Sequence, residues 1–211
     1  MMRLLLALLF SVALAVPALA DDAADANAAY ERGDYATAFP LIKRFAEQGD
    51  SQAQFTLGVM YDQGLGTAQS DAEAVRWYRQ AAREGNAAAQ MNLGLMHAKG
   101  RGVPVNYLEA YRWLDRAAVN YPPGEKRDKA ARNRDLALAR MTPEQMAQVP
   151  LKANHVATAQ AALQRLGYDP GPADGLIGKR TREAVKAFQR DRGLPETGEL
   201  THQLIQQMSK G

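Results

Sequence analysis

"DSQAQFTLGVMYDQGLGTAQSDAEAVRWYRQAAREG", residues 50–85, is followed at once by "NAAAQMNLGLMHAKGRGVPVNYLEAYRWLDRAAVNY", residues 86–121. The second stretch repeats the first at a period of 36. Ala53 returns as Ala89, Leu57 as Leu93, Gly58 as Gly94 and Met60 as Met96. Gly64 and Gly66 return as Gly100 and Gly102, Trp77 as Trp113, and Ala81-Ala82 as Ala117-Ala118. A fixed period of this length is the mark of stacked supersecondary units, each unable to bury its apolar face alone.

Each unit reads as two helices. The first follows Asp50 or Asn86, both side chains that accept hydrogen bonds from the open amides of a helix start. Its apolar residues, Ala53, Leu57, Met60 and Tyr61, step by three and four along one helical face. "GLG" or "GRG" supplies the turn. The second helix opens on Ser70-x-x-Glu73 or Asn106-x-x-Glu109, the spacing of a reciprocal capping box. Asp34 precedes Ser70 by the same period, so "DYATAFPLIKRFAEQG" (34–49) is an earlier second helix, and "ADANAAYERG" (24–33) supplies the helix before it. Gly58, Ala81 and Ala82 let backbones approach, and Trp77 and Trp113 are expected to fill the core between them rather than stack on a ligand.

These motifs resemble Sel1-like repeats, a variant of the tetratricopeptide class, over residues 24–121. Tyr61 is replaced by His97 in the second unit, a mild departure. The resemblance implies an adaptor scaffold that presents its helical surface to a partner protein.

Around the repeats, composition narrows the possibilities. The chain opens on Met1-Met2-Arg3, an apolar run from Leu4 to Val16, then Pro17 and the small-x-small Ala18-Leu19-Ala20. This predicts a signal peptide over residues 1–20, too short for a membrane anchor, and a periplasmic mature chain from Asp21. Cysteine is absent, which removes disulfides, thiol nucleophiles, thiolate metal sites and a lipid-modified cysteine anchor. Residues 21–120 carry 10 basic and 13 acidic side chains and residues 121–211 carry 15 and 10, so the halves differ at −3 and +5. That charge is modest, and export removes the usual ligand, so nucleic acid is not an expected partner.

From Tyr121 to Pro150 a Pro-Pro-Gly turn leads into "EKRDKAARNRDLALARM", a charged helix with a thin apolar face. Thr142-Pro143-Glu144-Gln145 then starts another helix. Residues 122–150 are expected to cap the repeat stack and end in a linker near Pro150.

Beyond it, Val156, Ala159, Leu163 and Leu166 form a helical stripe ended by Gly167. A loop rich in proline and glycine follows (Pro170, Gly171, Pro172, Gly175, Gly178), and then a helix with Ala184, Val185 and Phe188 inward. Leu194, Leu200, Leu204 and Ile205 predict a short third helix capped by Thr201. The fold class is therefore all-α: a repeat solenoid over residues 21–121 and a three-helix domain over 151–211.

Leu163-Gln164, Leu166-Gly167-Tyr168, Asp174-Gly175, Gly178, Thr181, Ala184-Val185, Phe188-Gln189, Gly193-Leu194 and Thr197-Gly198 resemble the peptidoglycan-binding domain of the three-helix type. The match covers 156–208 and departs at Thr201, where the family often carries aspartate. The resemblance implies a cell-wall peptidoglycan ligand. Murein offers hydroxyls, amides and carboxylates, so backbone amides, a carboxamide, a basic group and an aromatic face suit it. The candidate contacts are Tyr168, Asp174, Gly175, Thr181, Arg182 and Gln189, with structural roles such as an Asx turn at Asp174 as the alternative.

No catalytic grouping stands out. His97, His155 and His202 are the only histidines, far apart in sequence and outside zinc-ligand spacings. Asp174 and Glu183 are a carboxylate pair of a kind common without glycosidase chemistry. The expectation is a non-enzymatic adaptor without cofactor or metal. The alternatives are a wall-modifying enzyme or its activator, or a C-terminal domain reduced to protein docking.

Overall fold

The computed structural model describes residues 15–210, with side chains described from Asp22 onward. Every regular element in it is an α-helix. The expected signal peptide lies outside the described residues up to position 14; its last six residues belong to α1 (Ala15–Glu31). Among the described residues no helix is long and apolar enough to cross a membrane. The chain divides into two compact units, with the boundary between Ala139 and Arg140.

The first unit is a run of antiparallel helices, each packed on the next: α1, α2 (Tyr35–Glu47), α3 (Ser51–Gln63), α4 (Asp71–Arg83), α5 (Ala87–Lys99), α6 (Tyr107–Asn120) and α7 (Glu125–Leu138). The caps fall where the sequence places them. Asp34, Asp50, Ser70, Asn86 and Asn106 each accept the backbone amide three residues on, at 2.6 to 3.2 Å. The reciprocal half of the boxes does not form in the repeats. Glu73 turns instead to Arg76 at 3.1 Å, and Glu109 to Arg112 at 2.7 Å. An arginine one helical turn away competes with the cap amide for the carboxylate.

Small residues set the spacing between helices. A Cβ on Gly58 would come within 2.6 Å of the Tyr78 ring, and one on Gly94 within 2.7 Å of Leu114. Trp77 and Trp113 are buried at 3 % and 8 % exposure, in core clusters with the alanines of neighbouring helices. The loop of the second repeat is tied to the first by Arg101, whose guanidinium donates to Asp62 at 2.6 Å and to Asp71. The aspartates in turn hold that guanidinium's pKa above its ordinary value through these bonds.

Residues 122–150 part company at the unit boundary. Helix α7 covers α6 through Ala130, which is buried with Ala117 and Ala118, and Arg134 reaches Asp115 at 3.4 Å. This is the covering helix that the end of a repeat stack needs. Residues 140–150 do not behave as a linker. They fold with the C-terminal unit, where Met141, Met146 and Val149 are buried. Three apolar side chains within nine residues give this segment a face to bury.

The second unit holds α8 (Pro143–Met146), α9 (Ala153–Arg165), α10 (Lys179–Asp191) and α11 (His202–Ser209). Thr142 and Gln145 form the full capping box, at 3.3 and 3.1 Å. The core is Val156, Ala159, Ala162, Leu163, Ala184, Val185, Phe188, Leu200, Leu204, Ile205 and Met208. The third helix is shorter than its apolar pattern suggests. Leu194 and Leu200 pack on this core from the loop before it, and Thr201 caps the helix by accepting the Leu204 amide at 3.1 Å.

Candidate functional site

The C-terminal unit is organised around two buried carboxamides that fasten its loops. Gln160 sits within the apolar stripe of α9 and is 1 % exposed. Its Oε1 accepts the Gly175 amide at 3.0 Å. Its Nε2 faces Asp174 Oδ1 at 3.1 Å, the Leu176 carbonyl at 3.0 Å and Thr181 Oγ1 at 3.2 Å. Gln189 does the same for the next loop: its Oε1 accepts the Gly198 amide at 2.9 Å and its Nε2 donates to Thr197 Oγ1 at 3.0 Å. A carboxamide suits this role because it offers donor and acceptor at one place.

The predicted contacts fall into two groups around these fasteners. Asp174 accepts the Leu176 amide at 2.9 Å in an Asx turn, and this bond, with that to Gln160, lowers its pKa. Gly175 has φ of +80°, and a Cβ there would stand 2.6 Å from the Ala153 carbonyl oxygen. Thr181 is 2 % exposed and its hydroxyl donates to the Pro170 carbonyl at 2.9 Å. Gly175 and Thr181, with Gln189, are buried and hydrogen-bonded within the protein, while Asp174 is exposed and is held through Oδ1. Gly178, expected to serve a tight turn, has an ordinary φ of −86° and sits at the N-terminus of α10.

Arg182 and Tyr168 differ. Arg182 is exposed on α10. Tyr168 is half-buried, edge-on to Phe188 at 5.8 Å, and its hydroxyl donates to Asp191 at 2.7 Å, which raises its pKa. The loop is braced further by Arg180, which grips Asp169 through both carboxylate oxygens and lowers its pKa. At the tip of this braced loop Leu176 and Ile177 stand in solvent, at 68 % and 38 % exposure. On the far side of Gln189 lies a groove of about 200 Å³ lined by Leu194, Pro195, Thr197, Thr201, Gln203 and Gln207, among others.

Sequence reasoning missed Gln160, Leu176 and Ile177. Gln160 was detectable as a carboxamide interrupting the 156–159–163 stripe. The exposed pair carried no signal, since apolar loop residues read as core until the fold is known.

Two of the histidines come together in the fold, both from the first turns of their helices. His155 and His202, distant in sequence, meet edge-on at 4.7 Å. His155 Nδ1 accepts the Lys152 amide at 3.2 Å, and His202 is 5 % exposed with its Nε2 buried and without a partner. His202 lines a cavity of about 310 Å³ with residues from Pro143 to Leu151 and from Leu200 to Gln203. Burial lowers the pKa of His202. The folded unit therefore resists protonation that the unfolded chain accepts. Stability from this residue is complete above its ordinary pKa of about 6.5 and is lost as the pH falls below it. Melts between pH 7.5 and pH 5 should show the Tm of the C-terminal unit falling, and His202→Gln should flatten that slope. Among the described residues no three His, Cys, Asp or Glu side chains stand close enough to hold a metal ion.

Comparison with known families places both units. The Sel1 repeat model matches residues 51–86 and 87–118. Residues 51–118 are Sel1 repeats. Residues 152–208, C-terminal to the Sel1 repeats, match the family described as a putative peptidoglycan binding domain. Among solved structures, a protective antigen of uropathogenic Escherichia coli strains displaying an SLR fold is 32 % identical at a TM-score of 0.54. The match covers 60 % of this chain and 28 % of that one. A Sel1 repeat protein from Oxalobacter formigenes is 37 % identical over 41 % of this chain and 66 % of that one, at a TM-score of 0.40. The localization factor PodJL of Caulobacter vibrioides, from two strains, is 41 % identical over 61 residues. That stretch is 28 % of this chain and only 6 % of the curated relative. The Sel1 repeats and the peptidoglycan-binding domain thus account for the α3–α6 stack and for α9–α11.

Proposed function

We propose that the chain is an exported, non-enzymatic adaptor of the periplasm. It holds murein through its C-terminal unit and a protein partner through its Sel1 repeats. What carries this reading is the presence in one chain of two binding modules of different kinds: repeats at 51–118, and a peptidoglycan-binding domain at 152–208. The signal-like N-terminus supports export.

Murein contact is assigned to the exposed groups: Arg182, the Tyr168 edge, the braced Leu176–Ile177 tip, and the groove beside Gln189. Gly175, Thr181 and Gln189 shape those surfaces, and Asp174, exposed and held through Oδ1 alone, keeps Oδ2 for the ligand. A rigid loop suits a weak polysaccharide ligand because little entropy is lost on binding.

The full chain is expected to co-sediment with purified sacculi, and Arg182→Ala to weaken retention about three- to tenfold, the worth of one ordinary hydrogen bond of about 1 kcal/mol at an exposed site. Circular dichroism should be unchanged. Retention by residues 21–139 with none by residues 140–211 would reverse the assignment. Muropeptides released above background by the pure chain would move it to the wall-modifying alternative.

A further inference from the structure

Two hollows of the C-terminal unit lie side by side, since Thr201 and Gln203 line both. The first, about 310 Å³, is lined from one segment by Pro143, Met146, Ala147, Val149 and Leu151, and from another by Leu200 to Gln203. The second is the groove of about 200 Å³ beside Gln189, which Leu194, Pro195, Thr197 and Gln207 also line. Residues 143–151 precede the stretch that matches the peptidoglycan-binding family. They belong to the same compact unit all the same, with α8 packed on α11.

The polar groups of the lining are neutral and open to solvent. Among the described residues neither hollow is lined by a charged side chain, and the one titratable group in their lining, His202, is buried, which favours its neutral form. Gln203 and Gln207 are exposed, and neither carboxamide is hydrogen-bonded among the described residues. Thr197 and Thr201 are exposed as well. The Thr197 hydroxyl oxygen accepts from Gln189 and from the Glu199 amide, and that of Thr201 from the Leu204 amide. Each keeps its own hydrogen to donate.

Murein combines two chemistries. Its stem peptides carry carboxylates and an amine, whereas its glycan carries hydroxyls and uncharged acetamido groups. A charged stem placed in an uncharged hollow loses hydration and gains no counter-charge. An acetamido group brings one donor, one acceptor and a methyl. Free carboxamides meet the first two, and the apolar walls take the methyl and the C–H faces of the sugar.

We propose that these paired hollows seat the N-acetylated glycan strand of murein, with Gln203 between them and Gln207 in the groove as the groups that read its acetamides. The inference rests on the reading that this unit holds murein. It names the part held and adds residues 143–151 to the site.

The test is a titration of the ¹⁵N-labelled full chain with tetra-N-acetylchitotetraose, a soluble strand that has the acetamido groups and no stem peptide. Saturable shifts are expected at the side-chain amides of Gln203 and Gln207. The de-N-acetylated oligomer and a free stem pentapeptide should leave both signals in place. Gln203→Ala and Gln207→Ala remove groups without bonds inside the chain, so the melt should be unchanged while affinity falls about three- to tenfold in each, the range of one lost hydrogen bond. Ala147→Glu, at an exposed position before the family's stretch, puts a charge into the first hollow and should weaken the oligomer by a similar factor. Excess oligomer should lower retention of the chain on sacculi.

Equal shifts with the de-N-acetylated oligomer, or shifts with the stem peptide alone, overturn the proposal. Undiminished affinity in Ala147→Glu overturns the part assigned to residues 143–151. Retention on sacculi with no response to the oligomer removes this site and leaves murein binding standing. A response to the oligomer without retention on sacculi supports the sugar site and counts against attachment to the wall.

Discussion

Gln160→Leu unfolds the C-terminal unit at temperatures where the repeats remain folded. Leucine fills the volume but offers nothing to the Gly175 amide, the Leu176 carbonyl or the Asp174 carboxylate, all of which Gln160 now serves. Buried polar groups stripped of partners cost about 1–3 kcal/mol each, and at least one amide here is buried. A loss on the order of 3 kcal/mol follows, a large fraction of the stability of a unit this small. The result to look for is a separate, lowered transition for residues 140–211, with sacculus retention lost in the same range. Gln160→Glu discriminates the cause. It keeps the acceptor for Gly175 but sets a carboxylate against Asp174, so its deficit should shrink on mild acidification. A Gln160→Leu chain that melts like the parent would show that the loop is held by packing alone.

Gly102→Val is expected to damage the repeat unit as severely. Gly102 has φ of +67°, a region that costs an L-residue about 1–2 kcal/mol. A Cβ there would also land on the Asp71 carbonyl and the Ala72 amide at the start of α4, which are backbone atoms with no side-chain freedom to yield. The first repeat has the same arrangement, with Gly66 against the Tyr35 carbonyl. Displacing a helix start that also anchors Arg101 adds a second cost of similar size, so the Tm should fall by roughly 10 °C. Gly85→Ala separates the two costs, because a Cβ at Gly85 meets nothing within 4 Å despite a φ of +92°. It should lose only the backbone share, about 1 kcal/mol. Equal losses in both variants would mean that the close approach at Gly102 contributes nothing.

Much of the fold was written locally. The period of 36, the cap residues and the GxG turns each act within one or two helical turns, so Asp50, Ser70, Asn86 and Asn106 are found doing what their positions promise. The second halves of the capping boxes were misjudged for an equally local reason, since Arg76 and Arg112 compete for the same carboxylates. The candidate site was less legible. The motif residues Gly175, Thr181 and Gln189 are held in buried hydrogen bonds that fasten the loops, and Asp174 joins them through one carboxylate oxygen. A motif does not distinguish a residue that touches a ligand from one that holds the loop touching it.

By itself, then, the sequence determined the all-helical class, the repeat and its phase, the C-terminal core and the lack of thiol chemistry, because periodicity, capping and composition are properties of neighbouring residues. Only the tertiary structure assigned residues 140–150 to the C-terminal unit, brought His155 onto His202 and revealed Gln160 as a fastener. Each of these depends on which distant groups meet once water is excluded, and that is settled by packing between helices rather than within them.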